Sequence, residues 1–213
     1  SFGAFDFAVD YNVSTGEKSA LRINFHSDTL ENHRDYYDGD RYGFNPTLRL
    51  EISSATTLDL SYEHADHERF IDRGVPTLNG EPVEAFEEIV FGDTDTNLQT
   101  LRADIYRANI SHEFSDTRKG NLVVQYSDFQ KLYKNYYASG YSGGDTFTAD
   151  GYLDPTERNN LIISGNIVNE FQTGSAKHTL LVGAEIIDTE NENYRYNTFF
   201  ITTEDDNEVF NIT

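Results

Sequence analysis

The sequence predicts an all-β protein, an antiparallel up-and-down meander of about eight strands. Three observations carry this. Apolar and polar residues alternate with a period of two in eight separate runs, turn-forming residues separate the runs, and no run shows a convincing helical period. Twenty-nine Phe and Tyr in 213 residues supply the aromatic area an ordered sheet needs, despite a net charge of −21.

The runs follow in order. "AFDFAVDYNV" places Phe5, Phe7, Val9, Tyr11 and Val13 on one face, with Asp6, Ala8, Asp10 and Asn12 on the other. After the turn "STGEK", "SALRINFHSD" sets Leu21, Ile23 and Phe25 against Arg22, Asn24 and His26. "TLRLEI" and "TLDLSYEH" continue the pattern, with Arg49, Glu51, Asp59 and Glu63 on their polar faces. "TLRADIYRANISHEF" changes phase between Ile105 and Tyr106, which predicts a bulge, and it leads through "SDTRKG" into "NLVVQYSDFQKLY". "NLIISGNIVNEF" and "HTLLVGAEIIDTE", joined by "QTGSAK", complete the eight.

The connections alternate in length. About five residues are followed by about thirteen from Thr29, then about three, then about thirty from His67. The rhythm continues with about six, about twenty-three from Tyr136, about six again, and a tail from Asn191. Successive antiparallel strands reverse direction, so all short turns lie at one end of the sheet and all long loops at the other. Outer-membrane barrels show this polarity, with short periplasmic turns, long external loops and strands that are apolar outside and polar inside. A soluble sheet with its apolar face inward shows the same alternation, so a soluble all-β binding or adhesion module stands as the alternative.

Composition excludes several classes. Sixteen Lys and Arg against 37 Asp and Glu repel nucleic acid. The absence of Cys removes disulfides and thiol chemistry. No run approaches the length of an apolar membrane helix.

Read as phrases, "YNVSTGEKSALRINFHSD", "HRDYYDGDRYGFNPTLRLEISSATTLDLSYEH", "DRGVPTLNG" followed by "FGD", and "EFQTGSAKHTLLVGAEI" resemble, in this order, the barrel of a TonB-dependent outer-membrane receptor of the ferric-siderophore type. The resemblance covers most of the chain. It implies part of a transmembrane barrel of roughly 22 strands around a plug, with residues 1–213 as a partial barrel domain near the second to ninth strands. It also implies a bacterial outer-membrane location, a ferric siderophore and outer-membrane lipid as partners, and the TonB complex met through N-terminal parts outside this segment. The plug and C-terminal strands lie outside the segment as well, and no cofactor is expected.

Candidate residues fall in two groups. Asp10, Arg22, Asn24, His26, Arg49, Glu51, Asp59 and Glu63 occupy the predicted lumen face. Tyr36, Tyr37, Arg73, Tyr137 and Tyr141 lie in the predicted external loops, where aromatic faces and guanidinium suit an anionic, aromatic chelate. Two metal patterns fail on spacing. "DTDTNLQTLRAD" places Asp93, Asp95, Asn97 and Asp104 like a calcium loop but has Leu98 where glycine is needed. His64 and His67 are three apart on a strand rather than on a helix. A membrane-barrel enzyme acting on lipid is the third reading, but Ser111 and His112 are adjacent strand residues and face opposite ways. No nucleophile elbow or phosphate loop is present, so no catalytic residue is expected.

Overall fold

A computed structural model describes residues 3–212. Eight strands form the antiparallel meander: β1 (Phe5–Gly16), β2 (Ser19–Thr29), β3 (Gly39–Ser53), β4 (Thr56–Phe70), then β7 (Leu98–Ser115), β8 (Arg118–Gly140), β9 (Thr146–Thr173) and β10 (Ala176–Asn193). Between β4 and β7 lies a separate hairpin, β5 (Thr77–Leu78) and β6 (Glu81–Pro82), followed by a single 3₁₀ turn at Glu84–Phe86. Two short strands, β11 (Tyr196–Asn197) and β12 (Asn207–Asn211), continue the edge pairing of β9 above the end of β10.

The pairing register assigns faces. Val13, Leu21 and Leu48 stand side by side across β1, β2 and β3, and the row continues from Leu48 to Leu60 of β4 and from Leu60 to Ala108 of β7. The same face carries Val124 and Ile163 further along the sheet. Many of these apolar side chains are exposed, and the surface totals 14155 Å². A compact soluble monomer of 24.3 kDa exposes about 10,000 Å², so this sheet has no soluble core of its own.

β9 is 28 residues long and β8 is 23, whereas about 9–11 tilted residues cross a membrane. Both strands therefore project well beyond the long-loop end of any membrane band. This revises the predicted third loop. The region from Tyr136 is mostly strand, with Tyr137 opposite Asp150 and Ala138 opposite Ala149, and only residues 141–145 turn at the tip. The predicted bulge at Ile105 and Tyr106 is also absent. The β4–β7 ladder is regular there, with Glu63 opposite Ile105 and Tyr62 opposite Tyr106. Ile105 sits on the polar face, together with Leu101 and Ala103, so the apparent phase change is apolar residues moving to that face near the long-loop end.

The buried apolar side chains among the described residues are Phe70, Ile71, Phe91, Ala103 and Ala149, most of them grouped around the excursion 71–97. That excursion is pinned at both ends. Arg34 from the first loop donates to Asp72 at 2.6 Å, to the Ile89 carbonyl at 2.9 Å and to the Glu87 carbonyl. Asn97, 3% exposed, acts as one more strand residue beside the free edge of β8. Its Oδ1 accepts the Tyr136 N–H at 2.7 Å, while its Nδ2 donates to the Tyr136 and Ile71 carbonyls. Within the excursion, "DRGVPTLNG" makes two turns. Asp72 accepts the Gly74 N–H at 2.8 Å, and Asn79 and Gly80 adopt φ of 55° and 87°, as the two-residue hairpin turn between β5 and β6 requires. Replacing Asn97 with alanine leaves the half-buried Tyr136 N–H unpaired and costs about 1–2 kcal/mol. Hydrogen exchange at the Tyr136 amide should accelerate accordingly; unchanged protection would contradict this bracing role.

Candidate functional site

β8 and β9 carry a period-two pattern into their projecting ends. On the polar face this lines up Tyr133 with Asp154, Asn135 with Tyr152, and Tyr137 with Asp150. The pinned excursion lays Arg73 over this surface. Its Nη1 donates to Asn135 Oδ1 at 3.1 Å and to the Tyr152 hydroxyl at 3.2 Å, and its guanidinium lies 4.2 Å from the centre of the Tyr137 ring.

A second arginine arrives from beyond β10. Arg195 makes a two-pronged pair with Asp154 at 2.8 and 2.5 Å and covers the Tyr152 ring at 4.3 Å. Tyr133 stacks on Tyr152 with centroids 5.9 Å apart, and Tyr137 meets Tyr152 edge-on at 6.1 Å. On the neighbouring strands Arg69 donates twice to Gln99, which stands opposite Tyr133. Three guanidiniums and three tyrosines thus share one face at the long-loop end.

The electrostatics follow from these contacts. Hydrogen bonding from Arg195 holds the Asp154 carboxyl below its usual 3.8, and the same bond raises Arg195. Burial is the main reason the Tyr133 and Tyr137 hydroxyls are pushed up, with the Asp150 carboxylate adding to the effect at Tyr137. Both tyrosines therefore stay protonated and able to donate at neutral pH, while Arg195 stays charged.

The five predicted loop residues separate. Arg73 and Tyr137 meet in the cluster. Tyr141 packs edge-on against Phe86 at 5.3 Å and donates to the Gly144 carbonyl, as part of a different aromatic group. Tyr36 is exposed with φ of 64°, and the Tyr37 N–H bonds the Arg34 carbonyl. Among the described residues no hydrogen bond or ring contact joins Tyr36, Tyr37 or Tyr141 to Arg73. Sequence reasoning missed Arg69, Tyr133, Asn135, Tyr152, Asp154 and Arg195. Alternation in "LYKNYY" marks Tyr133, Asn135 and Tyr137 as one face once β8 is allowed to outrun a membrane's thickness.

The eight residues expected on the other group's face do share the polar face. Arg22 forks onto Asp10 at 2.9 and 2.5 Å, Arg49 onto Asp59 at 2.7 and 2.9 Å, and His26 meets Asp6 at 3.0 Å. Asn24 stands beside Asp10 in the register, Glu51 beside Thr57, and Glu63 is 3.5 Å from the Asn45 amide. The calcium-like spacing builds no site. Asp93 accepts the Asp95 N–H, Asn97 is committed to Tyr136, and Asp104 accepts from the Tyr62 hydroxyl at 2.5 Å. No cluster of metal-binding groups occurs among the described residues.

Taken together, the chain is an antiparallel meander with one apolar face, long projecting strands and an arginine–tyrosine surface on its polar face. No protein-family model matches the chain. Relatives do. The metal-pseudopaline receptor CntO of Pseudomonas aeruginosa is 24% identical over 195 residues, covering 87% of this chain and 27% of the receptor. The catecholate siderophore receptor Fiu of Escherichia coli K12 is 22% identical over 216 residues, covering 89% and 28%. In structure, the ferric-catecholate import receptor Fiu superposes over 90% of this chain and 33% of its own with a TM-score of 0.80 at 19% identity. FpvA of P. aeruginosa, bound to a ferric pyoverdine, superposes over 98% of this chain and 28% of its own with a TM-score of 0.86 at 13% identity.

The chain is thus related to the siderophore receptors of the TonB-dependent class and has the fold of their barrel portion. It spans less than a third of the length of the curated relatives, which are receptors and not enzymes.

The Asp154 shift gives a pH expectation. A carboxyl held low in the folded protein contributes stability that is present above its ordinary value and is lost as pH falls through the depressed one. The Arg195 attachment should therefore hold at pH 4 and above and release only below the usual 3.8, followed by the carbon-13 shift of the Asp154 carboxyl. Titration of Asp154 above 3.8 would contradict the geometry.

Proposed function

We propose that this chain is part of the wall and external rim of an outer-membrane receptor that binds a ferric siderophore and imports it with energy supplied through TonB. In this reading residues 1–213 are one partial barrel domain. The apolar face contacts outer-membrane lipid, and Asp10, Arg22, Asn24, His26, Arg49, Glu51, Asp59 and Glu63 line the lumen. TonB is engaged by parts of the receptor outside this segment, and no step involves covalent chemistry or nucleic acid.

The observation that carries the reading is the Arg73–Tyr137–Tyr152–Arg195 cluster. In a chain with 37 acids and 16 strong bases, it gathers guanidiniums on packed phenol rings where the lumen would open outward. Arg195 is paired with Asp154, so the charge-assisted donors for an anionic chelate come from Arg73, which contacts Asn135 and Tyr152, and the tyrosine faces supply stacking for aromatic arms. The names of the relatives support the ligand class, since CntO is a receptor for metal-pseudopaline and Fiu for catecholate siderophores.

Titrating the receptor in detergent with a panel of ferric siderophores tests this. At least one should bind, and Arg73→Ala should weaken it about ten-fold or more, as loss of a central arginine contact does. Arg73→Lys should restore only part, because an ammonium cannot reach Asn135 and Tyr152 while covering Tyr137. Failure of the whole panel to bind, or an affinity indifferent to Arg73, would overturn the proposal.

A further inference from the structure

The opposite face of the same projecting strands carries a second concavity. By register, Tyr136, Phe147 and Ala149 point away from the arginine cluster, onto the face that bears Val124, Leu161 and Ile163 lower down. There the excursion 71–97 and the segment after β10 fold over them and enclose a half-open cavity of about 420 Å³. Its walls are aromatic. Phe91 meets Phe147 edge-on at 5.0 Å, Phe147 lies 6.1 Å from Phe210, Phe210 lies 5.8 Å from Phe200, and Phe200 lies 6.2 Å from Tyr136. Phe91 is 3% exposed and Ala149 6%, so the floor is formed and not merely a roughness of the surface.

The charge around this cavity is one-sided. The three segments that build it, 74–101, 135–157 and 196–212, contain no lysine, arginine or histidine. The first contains six carboxylates and the last contains four, and Asp93 itself lines the cavity. Two arginines touch the cavity lining: Arg34, at the Ile89 carbonyl, is paired with Asp72, and Arg73 lies over the Tyr137 ring at the border with the cluster. The arginines of the cluster lie on the other face of the sheet. An apolar chamber with aromatic walls and an acidic surround disfavours anions and favours cations that carry their own apolar surface. Ring faces attract such a cation through their quadrupoles, and the low-dielectric wall strengthens the attraction of Asp93.

We propose that this cavity is a separate external binding site for a small organic cation, a quaternary ammonium or protonated amine bearing an aromatic or branched apolar group. The volume lies within the range of ordinary small-molecule sites. Aromatic rings and a single carboxylate are the groups such a ligand needs. The site shares only Tyr137 with the arginine cluster, and its other walls, Phe91, Phe147, Phe200 and Phe210, belong to it alone.

The test uses benzyltrimethylammonium as the probe, titrated into the receptor in detergent by saturation-transfer NMR, with neopentylbenzene as its neutral counterpart of the same shape. The cation should bind and the neutral compound should bind at least about five-fold more weakly, the scale of a cation–aromatic contact. Asp93→Asn retains an oxygen for the Asp95 N–H, so the loop keeps its turn while losing the charge. It and Phe210→Leu, which keeps bulk but removes the ring, should each weaken the cation about five-fold. Equal binding of the neutral compound, no binding at millimolar probe, or indifference to both substitutions would overturn the proposal.

Discussion

An antiparallel ladder running through every neighbouring pair from β1 to β10 is what the rest of this molecule depends on. In a bilayer, backbone donors and acceptors have no water to turn to, so each strand must satisfy its groups on the next. Once the ladder is set, alternation assigns every side chain to a face, and a slip of one residue would reverse them all. The arginine cluster and the aromatic cavity can therefore occupy the same stretch of β8 and β9 largely on opposite faces. Tyr136 lines the cavity alone, while Tyr137, next to it in sequence with its ring under Arg73, borders both.

Above the membrane band the problem changes. Water now meets both faces, and projecting strands need other reasons to stay together. β9 is paired on its outer edge by β10, β11 and β12 in succession, so it is covered nearly throughout. β8 loses β7 as a partner after Lys134, and Asn97 fills the gap with a side-chain amide. Burial of Phe91, Ile71 and Ala149 then adds apolar contacts that the rest of the sheet lacks among the described residues. The exposed ion pairs along the polar face, such as Arg22–Asp10, contribute little to stability.

The strands of the meander were legible because one apolar and one polar face impose a strict period of two. "AFDFAVDYNV" and "TLDLSYEH" need no tertiary information. Legibility failed where that contrast fades. Around Ile105 an apolar residue on the polar face imitates a bulge, and from Tyr136 to Tyr152 tyrosine, glycine and aspartate satisfy either face, so a long strand reads as a loop. The site was half legible for the same reason. Arg73 and Tyr137 stand out by type, but Arg195 reaches Tyr152 from 43 residues further along the chain, through a path that only the pairing of β9 defines.

The central claim is that the register separates a lipid face from a lumen face. Spin labels at Val124, Leu161 and Ile163, compared with labels at Gln125, Asn160 and Ser164, test it most directly in reconstituted bilayers. The account predicts that the first three respond to oxygen dissolved in the membrane and resist a water-soluble nickel complex, while the second three do the reverse. Similar access of the nickel complex to both sets would contradict it.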